Sequence, residues 1–594
     1  MKKTVAIIQA RMGSSRLAGK VLQPVAGRPV LWHVVHRLKK CRELDEVRIA
    51  TTTHSQDDPI IAFAKQEGVP VTRGSEDNVL QRYQLAVDES QADIIIRVTG
   101  DAPLIDTTII DVMLAKMRET GADICGGGGL DADVIHEGFS VVSRRLFDEL
   151  VRNGGHDPSV REHVIYKFDE YVPDLVPSVI TFDPRHFFKG ARISVDTPAD
   201  ITFIDTLYDK LEAEPGEIDL GDVVDLLKRE PELMRINSHV RQKLGTERSY
   251  ELLMRCDGGH ELGLGHVMRC ISVAKSLRDK HSIGIRFVML DFNGVENHAH
   301  ELVKREHFAL DLIAHDGDEA DAITKLMSHD RVAGVVLDIR TSLSVDAVHA
   351  WRNNGKVCAS LDDPSERRLA CDHVFYPPVP QIDDLEWSAF PGTRHIGWNW
   401  IALGPSFHRS HQPQSNDVPN VGVIMGGSDT HGLTLSALSA LSKCNSECAV
   451  HVVLGKASQI NDEARALAHE TGLVVTFHHD VRDMAAFLSI LDMAIASFGV
   501  SAYELAASAV PTLLLSISDD HFRSASALDD AGAARSLGLS DAVSTHQLAT
   551  EIDALLNDTV VRNDMVKAAR RLNIHQGADN IAETLHDALK NMRQ

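Results

Sequence analysis

The sequence predicts an α/β protein built on mostly parallel sheets. Apolar β-branched runs alternate along the chain with segments of helical period. Strand-like runs pass directly into glycine loops, at GLGH (263–266) and at MGGSD (425–429), and each loop opens a new strand-first unit. The chain has 594 residues, more than one core serves, since cores stop growing near roughly 250–300 residues. Hydrophobic residues make up 43% and charged residues 25%, which excludes wholesale disorder and a fibrous chain.

In the first part, strands are expected at Thr4–Gln9, Glu46–Thr51, Pro70–Thr72, Asp93–Val98 and Arg192–Val195. Helices are expected at Pro29–Lys40, Pro59–Glu67, Asn78–Ser90 and Thr107–Glu119. The polar stretch at 237–249 reads as a linker, and the pattern restarts with a strand at Tyr250–Arg255 and a helix from about His266 to Leu277. A second boundary, rich in Pro, Ser, Asn and His, lies at 408–419, before a strand at Asn420–Met425. Three domains follow: 1–245, 246–412 and 413–594. A cleft between the last two is the natural ligand site.

The balance of 85 acidic to 61 basic residues gives a net charge of −24. This disfavours nucleic acid and a membrane surface as partners. The eight cysteines form no CxxC pair, which fits reduced thiols and a cytoplasmic location. The apolar run after the two N-terminal lysines is too short for a signal peptide, and no stretch is long enough to span a membrane.

The first strand leads into Arg11-Met12-Gly13-Ser14-Ser15-Arg16-Leu17-Ala18-Gly19-Lys20. Glycine lets a backbone approach a ligand, and two arginines with a lysine suit a triphosphate. The bland alternative is a basic surface loop. Asp101 and Asp196 each follow an expected strand, so both fall at the carboxyl edge of the sheet, where two carboxylates can hold Mg²⁺ against phosphate. Either one alone also fits a turn or helix cap.

Five pieces in order, IIQARMGSSRLAGK (7–20), GSEDNVLQRY (74–83), RVTGDAPLID (97–106), REHV (161–164) and RISVDTPAD (192–200), resemble the cytidylyltransferases of surface-polysaccharide synthesis. These are of the spore-coat type and related to acylneuraminate cytidylyltransferases. The resemblance implies a Rossmann-like, GT-A-like nucleotidyltransferase domain that moves CMP from CTP to a sugar acid and releases pyrophosphate. It implies that Arg11, Gly13, Ser14, Arg16 and Lys20 bind the nucleotide, with Lys20 also catalytic, and that Asp101 and Asp196 hold Mg²⁺. The acidic stretch usual near the family's sugar site reads Gly138-Phe139-Ser140-Val141-Val142 here, and the glycine run 126–129 before it reads as a mobile loop.

In the second part, His266 is expected at a helix N-terminus, where a neutral imidazole is favoured and can act as a general base; a self-capping histidine is the alternative. Asp338 ends one strand, Asp362 and Asp363 follow another, and Glu504 falls near the start of an Ala-rich helix. RCDGGHELGLGHVMRC (255–270), LDD (361–363) and MGGSD (425–429) resemble the UDP-sugar hydrolase of pseudaminic acid biosynthesis, a relative of glycosyltransferases with two Rossmann-like domains in a GT-B arrangement. The resemblance implies catalysis by His266 with Asp257 in support, diphosphate binding by Gly426, Gly427 and Ser428, ribose binding by Glu504, and no cofactor. Gly404 stands where that family has Arg, Tyr376 where it has Asn, and Asp520-His521 where it has Asn-Gln.

Together these readings predict a bifunctional nucleotide-sugar enzyme of nonulosonic acid biosynthesis. CTP, a sugar acid and a UDP-2,4-diacetamido-trideoxyhexose are its expected partners, with a homodimer as the expected assembly. The alternatives for the second part are a glycosyltransferase or a non-catalytic nucleotide-sugar binding module.

Overall fold

The computed structural model describes residues 2–14, 16–126, 134–135, 138–241, 250–259, 263–291, 297–408, 418–426, 429, 431–454, 461–479, 481 and 483–592. The chain forms two compact units. The first is Met1–Ser249 with Arg278–Gly284 and His307–Ala309, and the second is the remainder.

The first unit is built on seven strands: β1 (Thr4–Gln9), β2 (Glu46–Thr52), β3 (Val71–Gly74), β4 (Ile94–Thr99), β5 (Ile124–Gly126), β6 (Phe139–Ser143) and β7 (Pro177–Val179). Their order is 3-2-1-4-6-5-7. Neighbouring strands pair in parallel except at β6, which runs antiparallel to β4 and β5. The sheet is covered on both faces, and the alternation along β1 shows why. Ala6 and Ile8 enter one apolar cluster with Val34, Leu38 and Ile110, while Val5 and Ile7 enter another with Tyr83, Phe147 and Leu150.

The strand expected at Arg192–Val195 is corrected: this stretch joins no sheet and bends at Ser194. Its polar groups are satisfied by neighbours instead of by a ladder. Val195 N–H donates to the Asp101 carbonyl at 2.8 Å, and the Arg192 carbonyl accepts from Asn237 Nδ2 at 3.1 Å. The glycine run at 127–129 lies outside the described residues, as does most of the expected linker.

The second unit holds two further sheets. One contains β8 (Glu251–Cys256), β9 (Gly284–Asp291), β10 (Ala309–Ala314), β11 (Val332–Asp338), β12 (Val357–Leu361), β13 (His373–Tyr376) and β14 (Thr393–Ile396), in the order 10-9-8-11-12-13-14. The other contains β15 (Asn420–Ile424), β16 (Ala449–Leu454), β17 (Val475–His479), β18 (Met493–Ser497), β19 (Thr512–Ser516) and β20 (Arg535–Leu539), in the order 17-16-15-18-19-20. The second of these sheets is parallel throughout. Both begin at the centre and wind outward, the doubly wound order in which ligands sit beyond the strand carboxyl ends.

The unit is therefore two Rossmann-like domains in a GT-B arrangement. The last helix, Gly577–Asn591, ties them together. Asp579 accepts from Ser276 Oγ at 2.7 Å, and Asn580 Nδ2 donates to the Asn399 carbonyl at 2.9 Å. Gly577 permits this crossing, because a Cβ there would lie 1.9 Å from the Ile401 carbonyl oxygen. Among the described residues, no helix is long and apolar enough to cross a membrane.

Candidate active sites

In the first unit, the loop after β1 is anchored by Asp57. This buried carboxylate accepts from Met12 N–H at 2.7 Å and from the hydroxyls of Thr51 and Thr52. The Met12 carbonyl then accepts from Ser14 N–H at 2.8 Å and Gly19 N–H at 3.1 Å, closing the loop on itself. Gly19 has φ +62°, a left-handed conformation that glycine adopts without strain. Sequence reasoning missed Asp57, because it belongs to a different strand-end loop.

The closed loop delivers Lys20 to the two predicted carboxylates. Lys20 Nζ pairs with Asp101 and lies 2.8 Å from Asp196 Oδ1. Arg16 Nη2 reaches the same Asp196 oxygen at 2.7 Å, and Arg192 pairs with the other oxygen. Arg192 is itself fixed by the fully buried Asp200 at 3.0 Å, a support the sequence reading did not assign. Burial alone would lower the Lys20 pKa, but Asp101 and Asp196 outweigh it and raise it. Burial would raise Asp196, yet Lys20, Arg16 and Arg192 pull it far below the ordinary carboxylate range. Arg11 lies at the loop's edge, 3.4 Å from Glu76. Arg16, Lys20, Asp101 and Asp196 are thus brought together; Gly13 and Ser14 belong to the loop that carries them.

A family model described as cytidylyltransferase matches residues 5–192, which include Arg16, Lys20 and Asp101 but end before Asp196. The spore coat polysaccharide biosynthesis protein SpsF of Bacillus subtilis (strain 168) is 31% identical over 237 residues, covering 39% of this chain and 97% of that protein. The chain belongs to the cytidylyltransferase family. Another relative, the 3-deoxy-manno-octulosonate cytidylyltransferase of Anaeromyxobacter sp. (strain K), is 32% identical, covering 28% of this chain and 74% of that one. The crystal structure of Acinetobacter baumannii MurG superposes with a TM-score of 0.43 at 17% identity, covering 57% of this chain and 99% of that one.

The other unit of this cytidylyltransferase holds a second candidate site. A cleft of about 440 Å³ opens between the two Rossmann-like domains. Two helices begin at its walls: Gly265–His281 from the first domain and Val500–Ala507 from the second. A Cβ on Gly265 would come within 3.0 Å of Val500 Cγ2, so the two helix starts nearly touch. Converging N-termini direct partial positive charge and free N–H groups into one space, which suits a diphosphate.

His266 lines this cleft, and its Nδ1 lies 2.6 Å from Asp338 Oδ1. Arg269 Nη2 stands 3.0 Å from the same Nδ1; in the tautomer that gives the Nδ1 hydrogen to the carboxylate, Nε2 keeps its lone pair. Arg269 grips both Asp338 oxygens and reaches Asp362 at 3.1 Å. Burial would raise the Asp338 pKa, but Arg269 and His266 hold it at about 2.

The expected support from Asp257 is corrected. Register sets Cys256 opposite Asp338, so Asp257 lies just past the sheet edge and its carboxylate turns to other partners. Oδ1 accepts from Leu290 N–H at 2.8 Å, and Oδ2 pairs with the fully buried Arg255 at 2.7 Å. Arg255 has only Glu319, at 2.6 Å, as its other carboxylate among the contacts described. Asp257→Ala is therefore expected to destabilise the protein by about 3 kcal/mol, because it strips a buried charge of one partner. Thermal melting checks this, and His266 should keep its function in the fraction that stays folded.

The glycine loop after β15 is described only in part. Gly426 has φ +78°, while Gly427 and Ser428 lie outside the described residues. Asp429 caps the helix Leu433–Leu441, accepting from Leu433 N–H at 2.8 Å and Thr434 N–H at 2.9 Å. Glu504 is the fifth residue of Val500–Ala507, beyond the first turn, so the dipole at the helix start does not account for it. Burial raises its pKa to about 7. Tyr376, where the hydrolase family has Asn, sends its hydroxyl to the Asp363 carbonyl. At Gly404 a Cβ would meet only ordinary contacts.

Proposed function

We propose that the first unit transfers CMP from CTP to a sugar acid, and that the cleft of the second unit transfers the glycosyl group of a nucleotide diphosphate sugar to an oxygen acceptor. The observation that carries the first reading is the cationic loop of Arg16 and Lys20 seated on Asp101 and Asp196. The one that carries the second is the His266–Asp338 pair in the cleft where two helices begin.

In the first unit, Arg11, Arg16 and Lys20 would neutralise the triphosphate, with catalysis by positioning and charge. Asp101 and Asp196 both reach one nitrogen, so they stand close enough to share one cation. Mg²⁺ commonly takes one or two protein carboxylates and fills its remaining positions with phosphate and water, and these residues fit that pattern. When bound, it would supply Lewis-acid stabilisation of charge at the α-phosphate. Lys20, displaced from the carboxylates, is then free to meet phosphate oxygens. Both carboxylate and ammonium are already ionised, so no proton need move when the nucleotide enters.

In the second unit, His266 Nε2 would take the acceptor's proton while Asp338 steadies the imidazolium that forms. Water as acceptor gives a UDP-sugar hydrolase, in line with the sequence resemblance, whereas a sugar hydroxyl gives a glycosyltransferase. UDP release from a nucleotide sugar in plain buffer distinguishes them: release without added acceptor supports hydrolysis, and release only with an acceptor supports transfer. Tight UDP binding with no turnover under either condition would overturn both.

Glu504 offers a pH test of the nucleotide site. A carboxylate accepts hydrogen bonds from a ribose diol better than the neutral acid does. Because burial holds its pKa at about 7, it is mostly protonated at pH 6 and mostly ionised at pH 8. UDP affinity is expected to rise by up to about tenfold over that range. Calorimetric titration checks this, and Glu504→Gln should flatten the profile.

A further inference from the structure

One face of the first unit's sheet changes character towards its carboxyl edge. Side chains alternate between faces along a strand, so Val5, Ile7 and Gln9 of β1 share a face. Ile95 of β4 and Val142 of β6 enter the same apolar cluster as Val5 and Ile7, so Arg97, Thr99 and Ser140 lie on that face as well. Register fixes their neighbours. Arg97 stands opposite Ile7 on one side and Ser140 on the other, and Gln9, opposite Thr99, is its diagonal neighbour. The apolar core thus gives way to Gln9, Arg97, Thr99 and Ser140 at the edge where Asp101 follows β4.

Arg97 is partly buried, and its Nε is fully buried with no hydrogen-bond partner among the described residues. Neither flanking strand supplies a carboxylate: β1 reads TVAIIQ and β6 reads FSVVS. The helix Val79–Ser90 covers this face and brings Tyr83 to it, with Oη 2.9 Å from the Ile7 carbonyl and 3.0 Å from the Val98 carbonyl. The two carboxylates of that helix are taken, Asp88 by Arg144 and Glu89 by Arg48. Gln9 Oε1 is a second buried atom on this face without a partner among the described residues. Native proteins rarely bury a polar atom unpartnered, and a charged group costs more than a neutral one. A guanidinium matches a carboxylate in bidentate geometry. The triphosphate already has Arg11, Arg16 and Lys20 on the loop after β1, which leaves Arg97 for a different anion.

We propose that Arg97 is a specificity-determining residue of the first unit that seats the carboxylate of the sugar acid, with Gln9 Oε1 accepting from a hydroxyl beside it. This rests on the sugar-acid reading of that unit. Anchoring the acid group on the strand that leads to Asp101 orients the attacking hydroxyl towards the α-phosphate. A neutral sugar lacks that anchor, so the seat selects acids.

The test is pyrophosphate release by the full chain with CTP and Mg²⁺. The probe acids are N-acetylneuraminate and 3-deoxy-manno-octulosonate, each beside its methyl ester, which keeps the hydroxyls and removes the charge. Wild type, Arg97→Gln and Arg97→Lys are compared, each first checked by thermal melting. In the wild type, KM for the ester should exceed KM for the accepted acid by about ten- to a hundredfold, the range of hydrogen bonds to a charged group. Arg97→Gln should raise KM for the acid by that factor and leave KM for the ester and for CTP within about twofold, so that acid and ester become equal. Arg97→Lys, which keeps the charge without the fork, should recover part of the difference. A wild type that accepts acid and ester equally, an acid-to-ester ratio unchanged in both variants, or a rise confined to KM for CTP would overturn the seat and leave the cytidylyltransferase reading standing. No release by the wild type with either acid would overturn the sugar-acid reading itself.

Discussion

His266→Ala is expected to lower nucleotide-sugar turnover by about 10³-fold, within the range contributed by a positioned general base, while CTP-dependent pyrophosphate release is unchanged. The effect should be mainly on kcat, because His266 would exchange a proton in the transition state and the nucleotide is bound by other groups. Asp338→Asn should show most of the same loss. An amide in place of the buried carboxylate can offer N–H to Nδ1, which favours the wrong tautomer and leaves Arg269 without its bidentate partner. Steady-state measurement of UDP release, with and without an acceptor, reads both variants. Full activity in His266→Ala would remove the histidine from the chemistry.

Asp101→Ala is expected to do the reverse: CMP transfer falls by about 10³-fold, and UDP release is untouched. The change removes one of two carboxylates available to a metal, a loss of several kcal/mol of charge stabilisation. It also frees Lys20 from one of its two anchors. Raising Mg²⁺ should recover part of the activity if affinity for the ion is what was lost, and pyrophosphate release across a Mg²⁺ series measures this. Asp200→Ala should be milder at the chemistry and harsher on folding, since it leaves the buried Arg192 with Asp196 alone.

The sheets were legible because their strands are unbroken apolar runs with charged or glycine ends. Thr4–Gln9, Val332–Asp338 and Asn420–Ile424 announce themselves in that way. Short strands such as Ile124–Gly126 and Pro177–Val179 carry no such signal, because they are held by their neighbours' ladders. Arg192–Val195 misled for the opposite reason: its β-branched residues face a core while its backbone bonds go to loops. Site residues next to a glycine loop, such as Lys20 and His266, could be found from the chain alone. Asp101 and Asp196, the partners of Lys20, were also singled out from the chain as strand-end carboxylates; the pairing of His266 with Asp338 was not. His266 and Asp338 are 72 positions apart and meet because their strands are neighbours in the sheet, a fact of strand order. Asp257 was assigned through the family resemblance, and a buried arginine pairs with it instead.

The central claim is that one chain carries two independent active sites. The most direct test measures CTP-dependent pyrophosphate release and UDP release side by side on wild type, Asp101→Ala and His266→Ala, with all three proteins matched for folded fraction. The account predicts that each substitution abolishes one activity and leaves the other within twofold of wild type. A single substitution that removes both activities would contradict it.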